Sequence, residues 1–330
     1  MKAAYINETG NADNIIYGDM PVPQATGSQV LVKTGAVAVN PIDTYIRNGA
    51  NYWQLPKPFI IGCDLAGTVE AIGPDVARCK VGDRVWGTNQ GLLGRQGTFA
   101  EYCAVDECWL YPTPDNVSDE TAAACALVGV TAHLGLFRNA NLQAGESIFV
   151  HGGTGGVGSM VVQMAKAAGA RVITTGGTDE KCAKAKALGA EVAVNYKTQD
   201  VGAAIKEFAP QGVNVVWETL REPDFDKLTS YLAERGRLIL MAGRDARPPF
   251  PVGPFYVKGC SLHGVVMFKA TADEMRTCSV DMNRWMSDGK LKAQIGKTLP
   301  LAEAAAAHRL QEENTLQKSG TLAGKIVLTP

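Results

Sequence analysis

The first 120 residues are dominated by short runs in which apolar and polar residues alternate. Examples are "SQVLVKTGAVAVN", "AGTVEAIG" and "GDRVWGT", and Gly, Pro and Asp residues separate them. Alternation with a period of two predicts half-buried β-strands, and the residues between the runs predict turns. Because helical crossover segments do not join these runs, we expect this part of the chain to form its own small barrel or curled sheet.

The pattern changes near residue 121, where alanine-rich helical stretches begin to alternate with short β-branched runs. This alternation predicts parallel strands joined by crossover helices, and hence an α/β fold with a doubly wound sheet. The segments "AKAAGARVITT" and "AKALGAEVAVN" repeat one unit, a helix end followed by Gly-Ala and a strand. Gly169 and Gly189 are predicted to end the two helices. Further strands are predicted at 213–219 and 236–243.

A glycine-rich turn lies between the predicted strand 147–151 and a predicted helix over 159–168. It reads "HGGTGGVG", and Gly153, Gly155 and Gly158 match the spacing G-x-G-x-x-G. Glycines let the backbone approach a ligand closely, and a helix N-terminus attracts anions, so this turn predicts a phosphate site. The alternative is an ordinary strand–helix junction without a ligand.

Residues at the carboxyl ends of the predicted strands are the next candidates, because ligands of doubly wound sheets bind there. NAD-binding proteins of this kind usually carry an acidic residue after the second strand. Here the sequence is "TTGGTDEK", with Gly177, Thr178 and Lys181. A lysine at this place is suited to a ribose 2′-phosphate, which favours NADPH over NADH. Alternatively, Lys181 lies on a solvated helix face. Tyr196 either covers the adenosine half or is an amphipathic strand-end residue.

Overall composition narrows the class of partner. The chain has 32 Lys and Arg against 33 Asp and Glu, so its charge does not favour nucleic acid or an anionic membrane. Apolar runs of the roughly 20 residues that cross a bilayer are missing, and we expect a cytoplasmic protein. The eight cysteines lack C-x-x-C spacing, which indicates reduced thiols. The four scattered histidines are interpreted as structural.

Several motifs in order resemble the zinc-independent quinone oxidoreductase (zeta-crystallin-like) branch of the medium-chain dehydrogenase/reductase superfamily. They are "VNPIDTYIRNG", "GCDLAGTVEAIG", "VGDRVWG", "VHGGTGGVG", "PLAEAAAAHRLQE" and "GKIVL". The resemblance implies a Rossmann doubly wound parallel sheet inserted in a GroES-like β-rich catalytic domain. The implied boundaries are 1–121 and 267–330 for the catalytic domain and 122–266 for the Rossmann domain, with a last helix at 301–313 and a strand at "GKIVLTP".

The resemblance also implies that the chain binds no metal. Zinc-dependent relatives have a Cys in place of Asn40, a His in place of Cys63 and a Cys near Leu127. Their lobe of four cysteines is missing between residues 82 and 101. One thiolate does not hold a catalytic zinc. Reduction then relies on hydrogen bonds to the charge that develops on the acceptor.

Catalytic candidates implied by the resemblance are Tyr52, Asn40 and Thr131. Tyr52 is a proton donor in related enoyl reductases; the alternatives are that it only covers the cofactor, as in quinone reductases, or that it packs the loop. Asn40 alternatively builds a turn before Pro41, and Thr131 alternatively bonds its own helix. The residues expected to bind the cofactor are Asn40, Tyr52, Thr131, Thr154, Gly155, Gly156, Val157, Gly177, Thr178, Lys181, Tyr196, Thr219, Ala242, Gly243, Arg244, Val266, Met267 and Phe268.

The leading functional hypothesis is an NADPH-dependent reductase that transfers hydride to quinones or other α,β-unsaturated carbonyls without zinc. One alternative is a 2-enoyl thioester reductase with Tyr52 as proton donor. Another is a non-catalytic NADPH-binding protein, either crystallin-like or RNA-binding, although the near-neutral net charge argues against RNA. The resemblance further implies a homodimer or homotetramer, with an edge strand near "CSLHGVVMF" pairing across a two-fold axis.

Overall fold

The chain divides into two units, one of which is built from both ends of the sequence. The computed structural model describes residues 1–50, 53–315, 322 and 324–330. The first unit comprises Met1–Leu127 and Phe268–Pro330, and the second comprises Val128–Met267. The domain limits expected from the resemblance are 1–121 with 267–330 for the catalytic domain and 122–266 for the Rossmann domain. These domain limits stay a prediction.

The amino-terminal part of the first unit is mostly β-structure, as its alternating pattern predicts. Its elements are β1 (Lys2–Ile6), β2 (Ile16–Asp19), β3 (Gln29–Val39), α1 (Pro41–Arg47), β4 (Phe59–Ile60), β5 (Asp64–Ile72), β6 (Arg84–Gly87), β7 (Tyr102–Asp106), β8 (Leu110–Pro112) and the first nine residues of α2 (Asp119–His133), whose remaining residues belong to the second unit. Strands β2, β1 and β4 form an antiparallel sheet. Strand β3 is the long central strand of a second sheet, where it pairs with both β5 and β7.

The second unit contains a six-stranded sheet in which every pairing is parallel. Its elements are β9 (Ser147–Val150), α3 (Gly156–Ala167), β10 (Arg171–Gly176), α4 (Asp179–Ala187), β11 (Val192–Asn195), α5 (Val201–Phe208), β12 (Val213–Glu218), α6 (Phe225–Tyr231), β13 (Leu232–Leu240), α7 (Val252–Val257) and β14 (Ser261–Gly264). The strand order is β11-β10-β9-β12-β13-β14. This order reverses between β9 and β12, which confirms the predicted doubly wound sheet.

After β14 the chain returns to the first unit. The remaining elements are α8 (Ala272–Ser287), β15 (Ile295–Pro300), α9 (Ala304–Thr315) and β16 (Lys325–Thr329). Strand β16 pairs antiparallel with β3 and parallel with β15, so the last strand joins the sheet of the first strands. The helix expected over 301–313 begins three residues later, because Leu301–Glu303 form a short 3₁₀ turn before it.

Helix α3 begins earlier than the sequence pattern indicated. The prediction started the helix at Ser159, whereas Gly156 is its first residue and Gly155 is its N-cap. Glycine has a poor intrinsic helix propensity, so the glycine run was interpreted as a turn alone. The predicted helix ends are confirmed, since Gly169 and Gly189 follow α3 and α4 with φ angles of +84° and +115°.

Helix α2 continues without a break into a π-helical segment, Leu134–Asn139. The combined helix has 21 residues and a mean hydropathy of 1.4, which is long and apolar enough to cross a membrane. The sequence analysis missed this length because Thr131 and His133 interrupt the apolar run. However, 78% of its most apolar window is buried within the protein, as in a core helix. The expected cytoplasmic location stays a prediction.

The π-helical segment places a glycine against the core of the second unit. Trp217 on β12 is fully buried. A Cβ atom added at Gly135 would lie 2.2 Å from the Trp217 ring. Atoms in a close-packed core do not tolerate such a distance without moving the ring or the helix. Gly135 is therefore required by packing.

Replacing Gly135 with alanine should destabilise the protein by about 1–3 kcal/mol, the range for overpacking a well-filled core. Gly253→Ala is the matched control, because Gly253 also lies in a helix and a Cβ atom added there would have no neighbour within 4 Å. Chemical unfolding followed by tryptophan fluorescence measures both variants. Equal stability of the two variants would contradict the packing assignment.

Candidate functional site

The glycine turn follows β9 and leads directly into α3. Gly152 has a φ angle of +74°, which favours glycine. A Cβ atom at Gly153 would lie 2.3 Å from Thr174 Oγ1, and one at Gly158 would lie 2.2 Å from the carbonyl oxygen of Gly152. Gly155, by contrast, has only an ordinary contact at 3.4 Å. The turn thus needs glycine at 152, 153 and 158 to close tightly against β10 and itself.

Helix α3 offers unpaired donors at this turn. The N–H groups of the first helical turn have no carbonyl partner within the helix, and here they belong to Gly156, Val157 and Gly158. The dipole of a 12-residue helix adds a partial positive charge at the same end. The Ser159 hydroxyl donates to the Gly156 carbonyl at 3.0 Å, so it serves the helix start. This arrangement suits a phosphate or pyrophosphate group.

Threonine hydroxyls connect the carboxyl ends of the central strands to the turn. Thr174 Oγ1 donates to the Val150 carbonyl at 2.6 Å, and the Gly152 N–H donates to Thr175 Oγ1 at 3.0 Å. Thr219, directly after β12, donates from Oγ1 to the His151 carbonyl at 2.8 Å. The turn is therefore fixed on both sides of the position where the strand order reverses.

A histidine–carboxylate pair lies at the same reversal. His151 Nδ1 is 3.0 Å from Glu218 Oε2, and the Glu218 side chain is 1% exposed. The other Glu218 oxygen accepts the Leu220 N–H. The pair joins the end of β9 to the end of β12. The sequence analysis treated His151 as structural and did not pair it with Glu218, because residues 67 positions apart show no local pattern.

The end of β10 carries the residues predicted to contact the adenosine half. Gly177 follows the strand, and a Cβ atom there would lie 2.7 Å from the Tyr196 hydroxyl. Thr178 is the N-cap of α4, and its Oγ1 accepts the Lys181 N–H at 3.2 Å. Tyr196 is 54% exposed. Gly177, Thr178, Lys181 and Tyr196 thus share the edge formed by β10, β11 and α4.

The remaining predicted residues of the second unit also follow strand ends. Ala242, Gly243 and Arg244 lie just beyond β13, where Gly243 has a φ angle of +88°. Val266 and Met267 lie just beyond β14, and Val266 is 42% exposed whereas Met267 is buried. Since all six strands are parallel, these residues share the carboxyl edge of the sheet with Thr154 and Thr219.

Two predicted residues, Thr131 and Phe268, have other surroundings. Thr131 is buried within α2, 5% exposed. Phe268 belongs to the first unit, where its ring lies 5.9 Å from that of Trp53 in an edge-to-face contact. Tyr52 lies outside the described residues. The predicted roles of these three residues in catalysis or cofactor binding stay predictions.

Asn40 is fully buried at the end of β3, directly before α1. Its side-chain nitrogen donates to Asp64 Oδ2 at 2.8 Å and to the Ala38 carbonyl at 3.3 Å. The Lys325 ammonium donates to the side-chain oxygen of Asn40 and, at 2.8 Å, to the Val39 carbonyl. The side-chain nitrogen and oxygen of Asn40 are thus both hydrogen-bonded inside the protein. These bonds hold Asp64 and Lys325 in place.

The Asn40 contacts are part of a buried ionisable cluster, which we define as Asn40, Asp43, Cys63, Asp64, Thr88 and Lys325. Thr88 Oγ1 donates to Asp64 Oδ1 at 2.6 Å, and the Asn40 N–H donates to Asp43 Oδ2 at 2.7 Å. Burial raises the pKa of Asp64 and lowers the pKa of Lys325. Burial also raises the pKa of Asp43 to about 7, and the negative charge of Asp64 adds to this rise.

The buried ionisable cluster includes residues that the sequence analysis missed. Asp64 and Asp43 are flanked by apolar residues in "GCDLAG" and "PIDTYI", and a charged residue inside an apolar stretch was the available signal. Lys325 begins the last strand and is 5% exposed. A buried lysine needs a partner, but the sequence does not indicate which carboxylate or amide supplies it.

Comparisons with known proteins identify the family. A family model described as "Alcohol dehydrogenase GroES-like domain" matches residues 26–115, and one described as "Zinc-binding dehydrogenase" matches residues 156–282. Human quinone oxidoreductase is 32% identical over 99% of this chain and 97% of its own length. The chain belongs to the quinone oxidoreductase branch of the medium-chain dehydrogenase/reductase superfamily. It is therefore an oxidoreductase, with a GroES-like first unit and a nicotinamide cofactor.

Other members of the superfamily are similar over most of the chain. The NADPH-dependent alkenal/one oxidoreductase of Arabidopsis thaliana is 34% identical over 100% of this chain and 80% of its own length. A mycobacterial structure solved in complex with NADPH has a TM-score of 0.85 and 32% identity, covering 100% of both chains. A solved NAD-dependent alcohol dehydrogenase has a TM-score of 0.89 and 30% identity, again covering both chains completely.

The raised pKa of Asp43 gives a pH-dependent prediction for this oxidoreductase. Folding raises the pKa from 3.8 to about 7, so the folded protein holds a proton that the unfolded chain releases between these values. The stability that this group contributes is present below pH 4 and is lost as the pH rises to 7, by about 1.4 kcal/mol for each pKa unit. Asp43→Asn should therefore gain stability relative to the natural chain between pH 5 and pH 8.

Denaturant midpoints at pH 5, 6, 7 and 8 measure this gain. Asp75→Asn is the matched control, because Asp75 is exposed. The difference between natural chain and variant should grow with pH for Asp43→Asn and stay constant for Asp75→Asn. Denaturant midpoints that change with pH in the same way for the natural chain and Asp43→Asn would contradict the raised pKa of Asp43.

Proposed function

We propose that the protein is an NADPH-dependent reductase that transfers hydride to quinones or other α,β-unsaturated carbonyls without zinc. The observation that carries the proposal is the glycine turn, which leads into the N-terminus of α3 where the order of the parallel strands reverses. The names of the human and Arabidopsis relatives support this acceptor class. When bound, the reduced nicotinamide supplies the hydride.

NADPH is the proposed cofactor because of the residues at the end of β10. The N–H groups of Gly156, Val157 and Gly158 are suited to the pyrophosphate. Lys181 and the Thr178 hydroxyl are suited to a ribose 2′-phosphate, and the exposed ring of Tyr196 is suited to cover the ribose or adenine. The mycobacterial structure in complex with NADPH supports this cofactor.

The reaction leaves negative charge on the acceptor oxygen, which must be stabilised and then protonated. We propose that Tyr52 contacts the cofactor or acceptor and retain it as the candidate proton donor, since a phenol has a proton to give. Asn40 is a positioning residue in this proposal, because its amide is engaged by Asp64 and Lys325. Thr131 and Phe268 remain proposed contacts.

The proposal that the reaction proceeds without zinc rests on the buried ionisable cluster. Asn40 and Cys63 stand where zinc-dependent relatives have a Cys and a His. Lys325 donates a hydrogen bond to Asn40, so a cation already occupies these surroundings. A divalent ion placed among the same groups would face the ammonium, which disfavours its binding. The thiol of Cys63 is moreover held neutral, because burial raises its pKa and the charge of Asp43 adds to the rise.

Oxidation of NADPH and NADH by the purified protein tests the proposal. The acceptor panel is a benzoquinone, a naphthoquinone, a simple enone and a 2-enoyl thioester, each assayed with both cofactors and with a chelator. We expect turnover with NADPH and quinones or enones that the chelator does not reduce. Preference for the thioester, with loss of turnover in Tyr52→Phe, would favour the enoyl thioester reductase instead. Tight NADPH binding without any turnover would favour the non-catalytic alternative.

Lys181→Ala tests the cofactor assignment within the same panel. Loss of one charge-assisted contact should raise the KM for NADPH about tenfold or more and leave that for NADH within about twofold. Lys206→Ala is the matched control, because Lys206 is an exposed lysine on the neighbouring helix α5. An unchanged KM for NADPH in Lys181→Ala would place this lysine on a solvated helix face, as the alternative interpretation holds.

We also propose a homodimer or homotetramer in which β14 pairs with its copy. Strand β14 is at the edge of the six-stranded sheet, and Leu262 and Val266 are 40% and 42% exposed there. Unprotected edges with apolar side chains are prone to pair with another chain. Light scattering should give at least a dimer for the natural chain and a smaller particle for Leu262→Asp. Val280→Asp, at an exposed position on α8, should leave the mass unchanged.

A further inference from the structure

Asn195 connects the two strands that border the proposed adenosine site. It is the last residue of β11, where it lies opposite Gly176, the last residue of β10. The residue is 7% exposed, and its side-chain nitrogen donates to Asp179 Oδ1 at 2.7 Å. Its side-chain oxygen accepts the Lys197 N–H at 3.2 Å, and its own N–H donates to Gln199 Oε1 at 2.8 Å. Asn195 is therefore held at several points.

The partner of Asn195 is Asp179, an acidic residue close to the end of β10, where the cofactor ribose is proposed to bind. Asp179 is the first residue of α4 and follows the β10 end by three positions. A carboxylate near this strand end binds ribose hydroxyls in proteins that use NADH, and it repels a 2′-phosphate in proteins that use NADPH. An enzyme that selects NADPH with Asp179 present needs to control the direction of that carboxylate.

We propose that Asn195 is a specificity-determining positioning residue that holds the Asp179 carboxylate against the end of β11. The inference deepens the proposed NADPH preference and rests on it. One oxygen of Asp179 is engaged by the Asn195 amide, so the carboxylate does not reorient toward the ribose. Lys181 in the same helical turn then provides the charge that the 2′-phosphate meets.

The same residue places the tyrosine of this edge. Tyr196 follows Asn195 directly, and its N–H donates to the Gly176 carbonyl at 3.2 Å. Its hydroxyl lies 2.7 Å from the position of a Cβ atom at Gly177. Because Asn195 holds the Lys197 N–H and its own N–H is bonded to Gln199, the backbone is fixed on both sides of Tyr196, and with it the approach of Tyr196 to Gly177.

Direct binding titrations of NADPH and NADH test the proposal without reference to turnover. The variants are Asn195→Ala, Asp179→Asn and the double variant, each titrated by calorimetry. Releasing Asp179 in Asn195→Ala should raise the ratio Kd(NADPH)/Kd(NADH) about tenfold, the scale of one charge-assisted hydrogen bond. Asp179→Asn carries no charge to release, so the double variant should return the ratio to within about twofold of the natural chain.

Asn214→Ala is the matched control. Asn214 also joins two strands of this sheet, since its Oδ1 accepts the Ser147 N–H at 2.9 Å, but it lies near the amino ends of β9 and β12. It should leave the cofactor ratio unchanged. Thermal midpoints of every variant separate a change in ratio from a loss of folded protein, and Asn195→Ser provides a second variant if Asn195→Ala does not fold.

Two results would overturn the proposal. One is an equal loss of affinity for both cofactors in Asn195→Ala, which makes the residue merely structural. The other is a changed ratio that persists in the double variant, which means that Asp179 is not the group being held. If the natural chain binds NADH more tightly than NADPH, the proposed cofactor preference fails by itself. The effect of Asn195 is still decided by the change in ratio.

Discussion

The first unit depends on the hydrogen bonds of the buried Lys325 ammonium. An ammonium removed from water is tolerated only where oxygen atoms replace its hydration. Here the Val39 carbonyl and the Asn40 side chain supply these oxygen atoms. Asp64 provides the compensating negative charge, and the Asn40 amide connects it to the ammonium. These groups come from the last strand, the central strand and the strand beside it. Their hydrogen bonds therefore hold the two ends of the sequence in one sheet at a fixed register.

A second constraint operates in the parallel sheet, where hydrogen bonds between strand ends shape the glycine turn. The Thr174, Thr175 and Thr219 hydroxyls bond backbone groups of the strand end or the turn, and the pair of His151 and Glu218 joins the two strands where the order reverses. The glycines allow the close approach, and the hydroxyls determine its direction. A dinucleotide site of this kind is a property of neighbouring strand ends, of which the glycine motif is one part.

Sequence patterns were sufficient for the parts of the fold that are local. Alternation predicted the strands of the first unit, and helical periods with Gly169 and Gly189 predicted the crossover units, because both signals lie within a few residues. The glycine motif and the strand ends indicated the cofactor edge. The pairing of Lys325 with Asn40 was not predictable, since the partners are 285 positions apart and no local pattern specifies them. The same holds for the contact of His151 with Glu218, and the early start of α3 was hidden by the low helix propensity of glycine.

The route of the chain has a consequence for its synthesis. All strands of the parallel sheet lie in one continuous segment, Val128–Met267, so their partners leave the ribosome together and this unit can complete its core early. The sheet of the first unit has to wait for β16, whose residues emerge after all strands of the parallel sheet. Until then Asn40 and Asp64 lack their cation, and β3 has no partner for the hydrogen bonds that β16 makes at Val37–Val39. The nascent protein therefore passes through a stage in which its nucleotide-binding unit is formed while its other unit awaits β16.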